Sequence, residues 1–212
     1  MNEISLPYTI FAVDPATTIS GWSVLSLESI SPLSIKIIAH GQLDGQKLLR
    51  NKKDMSLYFQ RQFCVLDALE EEYTRLINLY KPDVIVSEGS FGQKFMAALI
   101  ALTLAINVLR RLSYKLLNKD LVEIPPTISK MAFTGSGGAD KDKMRVAYHS
   151  LPYLIRIASE EDITEHQIDA CAHGVGFIKR DITKDIIQLS AKERRHRKLE
   201  KQKKKLLIER GV

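Results

Sequence analysis

Four side chains in this sequence have the types that chemistry needs: Asp14, Glu88, His166 and Asp169. Asp14 closes the apolar run YTIFAVD, Glu88 follows PDVIVS, and His166 and Asp169 open the segment ITEHQIDACAHGVGFIKR. A carboxylate at the end of a strand that otherwise reads as buried is costly unless something pairs with it. Three carboxylates and an imidazole converging on one point would hold divalent cations, the requirement of metal-dependent phosphodiester hydrolysis. Two such ions about 4 Å apart can stabilise both the attacking and the leaving oxygen. Hard ions such as Mg²⁺ take oxygen ligands, and an imidazole suits Mn²⁺ somewhat better.

Within that chemistry Asp14 is the natural ligand to bridge two ions, and Glu88 would hold one of them. His166 and Asp169 are three apart on a helix, share a face, and would hold the other. His173 lies four residues after Asp169 on the same face and is the alternative to His166. Singly, each residue has an ordinary reading: Asp14 as a turn acid before Pro15, Glu88 as a loop acid before Gly89, His166 as a surface residue at a helix start. Asp169 is harder to explain that way, because Ile168, Ala170, Cys171 and Ala172 surround it.

The elements that must carry these residues follow from hydrophobic periodicity. Strands are expected at 8–14, 21–28 and 33–43, with ATTIS as the turn of a hairpin between the first two. Residues 52–80 read as a long amphipathic helix stopped by Lys81-Pro82. PDVIVSE (82–88) is a short, wholly apolar strand of the kind found at the centre of a doubly covered sheet. Residues 92–117 form an apolar helix, and LVEIPP (121–126) a further strand stopped by two prolines. The loop TGSGGADKDK (134–143) feeds a helix reaching about residue 150. Thr164 and Gln167 have the spacing of a capping box that opens the last core helix.

Bulk properties set the frame. At 212 residues with 45% apolar content, the chain can build one domain with a real core. The net charge is +6, yet residues 192–210 alone hold ten Lys/Arg against three acids, so the remainder is close to neutral. A near-neutral domain over 1–182 with a basic tail over 183–212, helical or disordered, suggests nucleic acid or an acidic surface as partner. The tail either grips phosphate, remains a solvated extension, or packs as a helix through Leu199, Leu206 and Leu207. Cys64 and Cys171 have no zinc-like spacing and read as core residues of a reducing compartment. MNEISLPYTI is not a secretory leader. Phe95–Leu109 is short for a membrane span and is expected to be a buried helix, so no membrane role is expected.

Taken with their surroundings, these residues resemble the RuvC family of Holliday junction resolvases. FAVDPATTISGWSV is similar to that family's first strand and hairpin, where an aspartate precedes Pro and a Gly-aromatic pair follows. VIVSEGSF resembles its second acidic strand, with Phe91 three residues after the glutamate. ISKMAFTGSGGADKDKM resembles its most distinctive stretch, a Lys followed by TGxGxAxK and a helix, and HQIDACAHG its closing helix with paired ligands three apart. The match spans roughly 8–180, in order. Two departures stand out. The first paired ligand, Asp in some members and His in others, is His166 here, and the chain continues past 182.

The resemblance implies an α/β ribonuclease H-like fold, a mixed sheet of about five strands flanked by helices. It implies a crossover junction endodeoxyribonuclease: a homodimer that nicks four-way DNA junctions symmetrically with Mg²⁺ or Mn²⁺, two ions per site, in recombination, repair or replication. It implies that Asp14, Glu88, His166 and Asp169 hold the metal, and that Lys130 and Lys141 contact phosphates, Lys141 within the catalytic set. Phe91 would wedge against junction bases. The cytoplasm of a bacterium or of a phage-infected cell is the implied location. A four-way junction has approximate two-fold symmetry, which suits two identical subunits, and the all-round apolar helix Phe95–Leu109 offers a face for their contact. The alternatives are a related nuclease acting on flaps or other branched DNA, and a non-catalytic junction-binding protein. An actin-like ATPase would need a duplicated domain, and no second Asp-Gly hairpin motif is present.

Overall fold

The computed structural model describes residues 4–50, 59–89, 96–157 and 163–185. Its centre is β1, Tyr8–Asp14, in which Ile10, Phe11, Ala12 and Val13 are all fully buried. Alternate residues of a strand face opposite sides of a sheet. Ile10 and Ala12 therefore join one core, and Phe11 and Val13 another. This doubly covered strand has no polar face, which is why its sequence is continuously apolar up to Asp14.

β1 pairs antiparallel with β2, Ile19–Ile30, through the expected hairpin, and β2 pairs with β3, Leu33–Asp44. On its other side β1 pairs parallel with β4, Val84–Glu88, which pairs parallel with β5, Val122–Ile124. A sixth, two-residue strand, β6 (Leu154–Ile155), adds to the free edge of β3, so the order is β5-β4-β1-β2-β3-β6. The sheet thus has six strands where about five are expected.

Helices cover both faces. On the Phe11 side lie α1 (Gly45–Arg50), α2 (Arg61–Tyr80) and α3 (Met96–Leu112), with Leu69, Tyr73, Ile77 and Leu109 packed inward. α2 ends as expected at Lys81, whose left-handed backbone lets its N–H bond Ile77 O before Pro82. It begins at Arg61, and residues 51–58 of the expected helix lie outside the described residues. On the Ile10 side lie α4 (Pro126–Thr134), α5 (Lys141–Ser150) and α6 (Glu165–Phe177), with Phe133, Tyr148, Ile168, Cys171 and Val175 in the core.

α6 opens with the expected capping box: Thr164 Oγ1 accepts from Gln167 N, and Gln167 Oε1 accepts from Thr164 N at 2.7 Å. α4 is an addition to the expected elements. The pair Pro125-Pro126 predicts a strand stop, but Pro126 occupies the first helical turn, where its missing N–H costs nothing.

α3 is half core and half surface. Leu102, Ile106 and Leu109 are buried, whereas Met96 is 71% and Ile100 50% exposed. With the wider turn Ser113–Leu117 it is long and apolar enough to cross a membrane by length and composition, but its inner face packs on α2 and β4.

Candidate active site

The strand register brings the two acids together. Val13 lies opposite Ser87 in the parallel β1–β4 ladder, so Asp14 and Glu88 leave the same sheet edge one residue later. Asp14 shares parity with Ile10 and Ala12, and Glu88 with Val84 and Val86. Both side chains therefore project toward the face covered by α6. Ser20 fixes the end of β1 by donating from Oγ to Asp14 O at 2.9 Å, and it pairs with the buried Tyr73 hydroxyl at 2.6 Å.

α6 reaches this edge because small residues let it approach. A Cβ on Gly21 of β2 would stand 2.0 Å from His166 O, and one on Gly174 would meet Leu25 Cδ1 at 2.4 Å and Ala12 Cβ at 3.2 Å. A Cβ on Gly176 would meet Ser129 Cα of α4 at 3.2 Å. His166, Asp169 and His173 then run inward along one face of the helix.

At the rim, His166 Nδ1 lies 2.9 Å from Asp14 Oδ2, with His166 41% and Asp14 16% exposed at the side chain. That hydrogen bond raises the imidazole pKa. Further in, Asp14, Glu88, Ser129, Lys130, Asp169 and His173 line one cleft. Burial, then the charges of Asp14 and Asp169, push Glu88 up to about 7, against an opposing pull from Lys130. Burial and Asp14 push Asp169 up to about 6, opposed by Lys130 and His166. Carboxylates held this close resist full ionisation until a cation joins them.

His173 is the deepest member at 4% exposure. Its Nδ1 is 2.7 Å from Ser129 Oγ, and burial lowers its pKa to about 4, so the ring is neutral. Its Nε2 has no hydrogen-bond partner among the described residues. Donor atoms of Asp14, Glu88 and His173 fall within 4.8 Å of one another. Two carboxylates and a neutral imidazole are a fitting donor set for a divalent cation.

The sequence-derived candidates are thus distributed as follows. Asp14, Glu88 and Asp169 share the cleft with Lys130. His166 is bonded to Asp14 at the rim. Lys141 lines an adjoining groove with Arg145 and Asp169, ion-paired to Glu165. Phe91 lies outside the described residues. Ser129 is not singled out by sequence; its only signal is its place one residue before Lys130 in the ISK triplet.

An end-of-strand carboxylate pair under a closing helix, on a mixed sheet with helices on both faces, belongs to a ribonuclease H-like fold, with an acidic cluster of the kind that can hold a divalent cation. Within that class the chain resembles the RuvC family. It is 27% identical over 164 residues to the crossover junction endodeoxyribonuclease RuvC of Caldicellulosiruptor saccharolyticus, covering 77% of this chain and 90% of that one. It is 29% identical over 137 residues to RuvC of Bacteroides fragilis, 64% of each chain. The fold is shared with Thermus thermophilus RuvC, solved in complex with a Holliday junction, at a TM-score of 0.64 and 14% identity, covering 83% and 97% of the two chains. The Fowlpox virus resolvase, solved with Holliday junction DNA, gives a TM-score of 0.51 at 17% identity, covering 82% and 99%. No protein-family model matches the chain.

Proposed function

We propose that this protein is a divalent-metal-dependent endonuclease that resolves four-way DNA junctions by paired, symmetrical nicks. The observation that carries the reading is the convergence of Asp14, Glu88 and Asp169 at one sheet edge, with two of the three held above the ordinary carboxylate range. Similarity to enzymes named crossover junction endodeoxyribonuclease supplies the substrate class. Asp14, Glu88, His166 and Asp169 would hold the divalent cations, Mg²⁺ or Mn²⁺, two per site. Bound there, such ions supply charge stabilisation for the oxygens that attack and leave phosphorus.

The remaining work falls to the chain's own side chains. Lys130 sits within the cleft and Lys141 beside it, where both contact phosphates flanking the scissile bond. To do so Lys141 exchanges Glu165 for phosphate, an exchange that its exposure permits. Phe91, three residues beyond Glu88, stacks on bases at the crossover. Residues 1–182 carry this chemistry and 183–212 form a basic arm for DNA. The protein acts as a homodimer in the cytoplasm. The exposed flank of α3, with Met96 and Ile100 outward, provides the subunit contact.

The test is cleavage of a mobile four-way junction in Mg²⁺, compared with a flap and a linear duplex of the same sequence. Paired nicks in opposing strands of the junction are expected. Cutting of the flap with the junction left intact would refute junction resolution and favour a nuclease acting on other branched DNA.

A further inference from the structure

His173 is a buried imidazole with one nitrogen engaged and the other unpartnered among the described residues. A buried polar atom without a partner is costly, so such atoms call for an explanation. A ring nitrogen of His173 is grouped with carboxylate oxygens of Asp14 and Glu88, and Nε2 is the one left without a hydrogen bond. None of these three forms a hydrogen bond to another of the three, although their donor atoms lie within 4.8 Å. Ligand atoms that each sit about 2.0–2.2 Å from one ion are themselves roughly 3–4 Å apart. The cluster therefore has room for a shared cation where it has no hydrogen bond among its own members.

We infer that His173 Nε2 is a ligand of the cation held between Asp14 and Glu88, in addition to His166 and Asp169, and that Ser129 fixes its tautomer. The inference rests on the metal-dependent reading above and assigns that site a further residue. With Nδ1–H donating to Ser129 Oγ, the lone pair of Nε2 is left free for a cation in the cleft that His173 lines with Asp14 and Glu88. A ligating histidine characteristically anchors its second nitrogen in this way. Gly176 makes the arrangement possible, since a side chain there would press on Ser129. α6 then delivers donors at 166, 169 and 173, one above another, from rim to core. A deep nitrogen donor also sets metal choice, favouring Mn²⁺ over Mg²⁺ relative to an all-oxygen site.

The experiment is pulsed electron paramagnetic resonance of Mn²⁺ bound to the His166→Ala protein, which retains His173 and loses only a partly exposed side chain. A nitrogen-14 coupling is expected, abolished by adding Asp14→Asn and by adding His173→Asn. Ser129→Ala in the otherwise unaltered chain should weaken Mn²⁺ binding by about 10- to 100-fold, the usual effect of removing such an anchor. The Ser129→Ala arm and the spectrum of the His166→Ala protein do not depend on whether His173→Asn folds. Asp14-dependent Mn²⁺ binding without nitrogen coupling in the His166→Ala protein would overturn the inference and leave the nuclease reading intact. Mn²⁺ binding indifferent to Asp14→Asn would remove both.

Discussion

Gly21→Ala tests whether close approach of α6 to β2 is what sets the ligand geometry. Gly21 faces Asp14 across the β1–β2 ladder, and its missing Cβ would lie 2.0 Å from His166 O and 2.3 Å from His166 C. These are backbone atoms and cannot swing aside. Restoring ordinary contact near 3.4 Å requires a displacement of about 1.4 Å at the start of α6. The later turns cannot follow, because Gly174 and Gly176 seat them against Ala12, Leu25 and Ser129. The shift therefore falls on the first turns, parts the 2.9 Å contact between His166 and Asp14, and moves Asp169.

A misplacement of about 1 Å in a catalytic constellation can cost about 100-fold in rate. Overpacking of this kind costs about 1–3 kcal/mol in stability. The assay is single-turnover nicking of a four-way junction at saturating enzyme and Mg²⁺, with urea unfolding in parallel. Gly41→Ala is the matched control: its Cβ would meet Trp22 Cζ2 at 2.6 Å, against the other core and away from any ligand. We expect nicking to fall about 100-fold for Gly21→Ala, with junction affinity within a few-fold of wild type, and Gly41→Ala to lose stability with little change in rate. Wild-type nicking by Gly21→Ala, or equal rate losses in the two variants, would refute the reasoning.

Asp14→Asn should abolish nicking in the same assay while junction binding, measured by gel shift, persists, because the proposed phosphate contacts are assigned to Lys130 and Lys141 and not to Asp14. Glu88 and Asp169 are raised from ordinary values of 4.5 and 3.8 to about 7 and 6, so the folded, metal-free protein binds more protons than the unfolded chain across that window. The two carboxylates should therefore make stability fall as pH rises from about 4 to 7, while metal affinity rises; His166, also raised, acts in the same direction, whereas His173, lowered to about 4, offsets part of the fall below about 6.5. Urea midpoints against pH should show this slope, and Glu88→Gln should flatten it. Ile100→Glu, on the exposed flank of α3, should convert a dimer to a monomer in sedimentation, whereas Leu102→Glu should unfold the domain because Leu102 is only 7% exposed. Deleting residues 191–212 should weaken junction and duplex binding alike and reduce the salt slope by about 0.9 for each phosphate that the tail neutralises, with nicking by bound enzyme retained.

The legible parts of this molecule are those in which one local rule suffices. β1 and β4 announce themselves as unbroken apolar runs because both faces are covered, and the same runs mark Asp14 and Glu88 as their polar ends. The Thr164–Gln167 capping box is a four-residue pattern, complete within its own turn. Two-residue β6 carries no periodicity to read, since it exists only by pairing with Ile35 and Lys36. α4 is hidden because prolines end strands and begin helices equally well. On α3 an all-apolar surface gives no clue to which residues face the core, and Leu102 proves to be inside. The role of His173 depends on Ser129 of a different helix, 44 positions away, a relation that no local pattern encodes.

The helix that completes the site is also the last α-helix of the core among the described residues. Asp14 and Glu88 are synthesised early, and β1 can pair with β2 as soon as the hairpin has emerged. Yet the carboxylates face open space until residues 165–177 have left the ribosome and docked between β2 and α4. A chain in which this helix has not docked therefore has both acids but lacks the Asp169 and His173 wall of the cleft. The cleft is completed in the same step as the native core, so that for this chain folding and assembly of the site are one event.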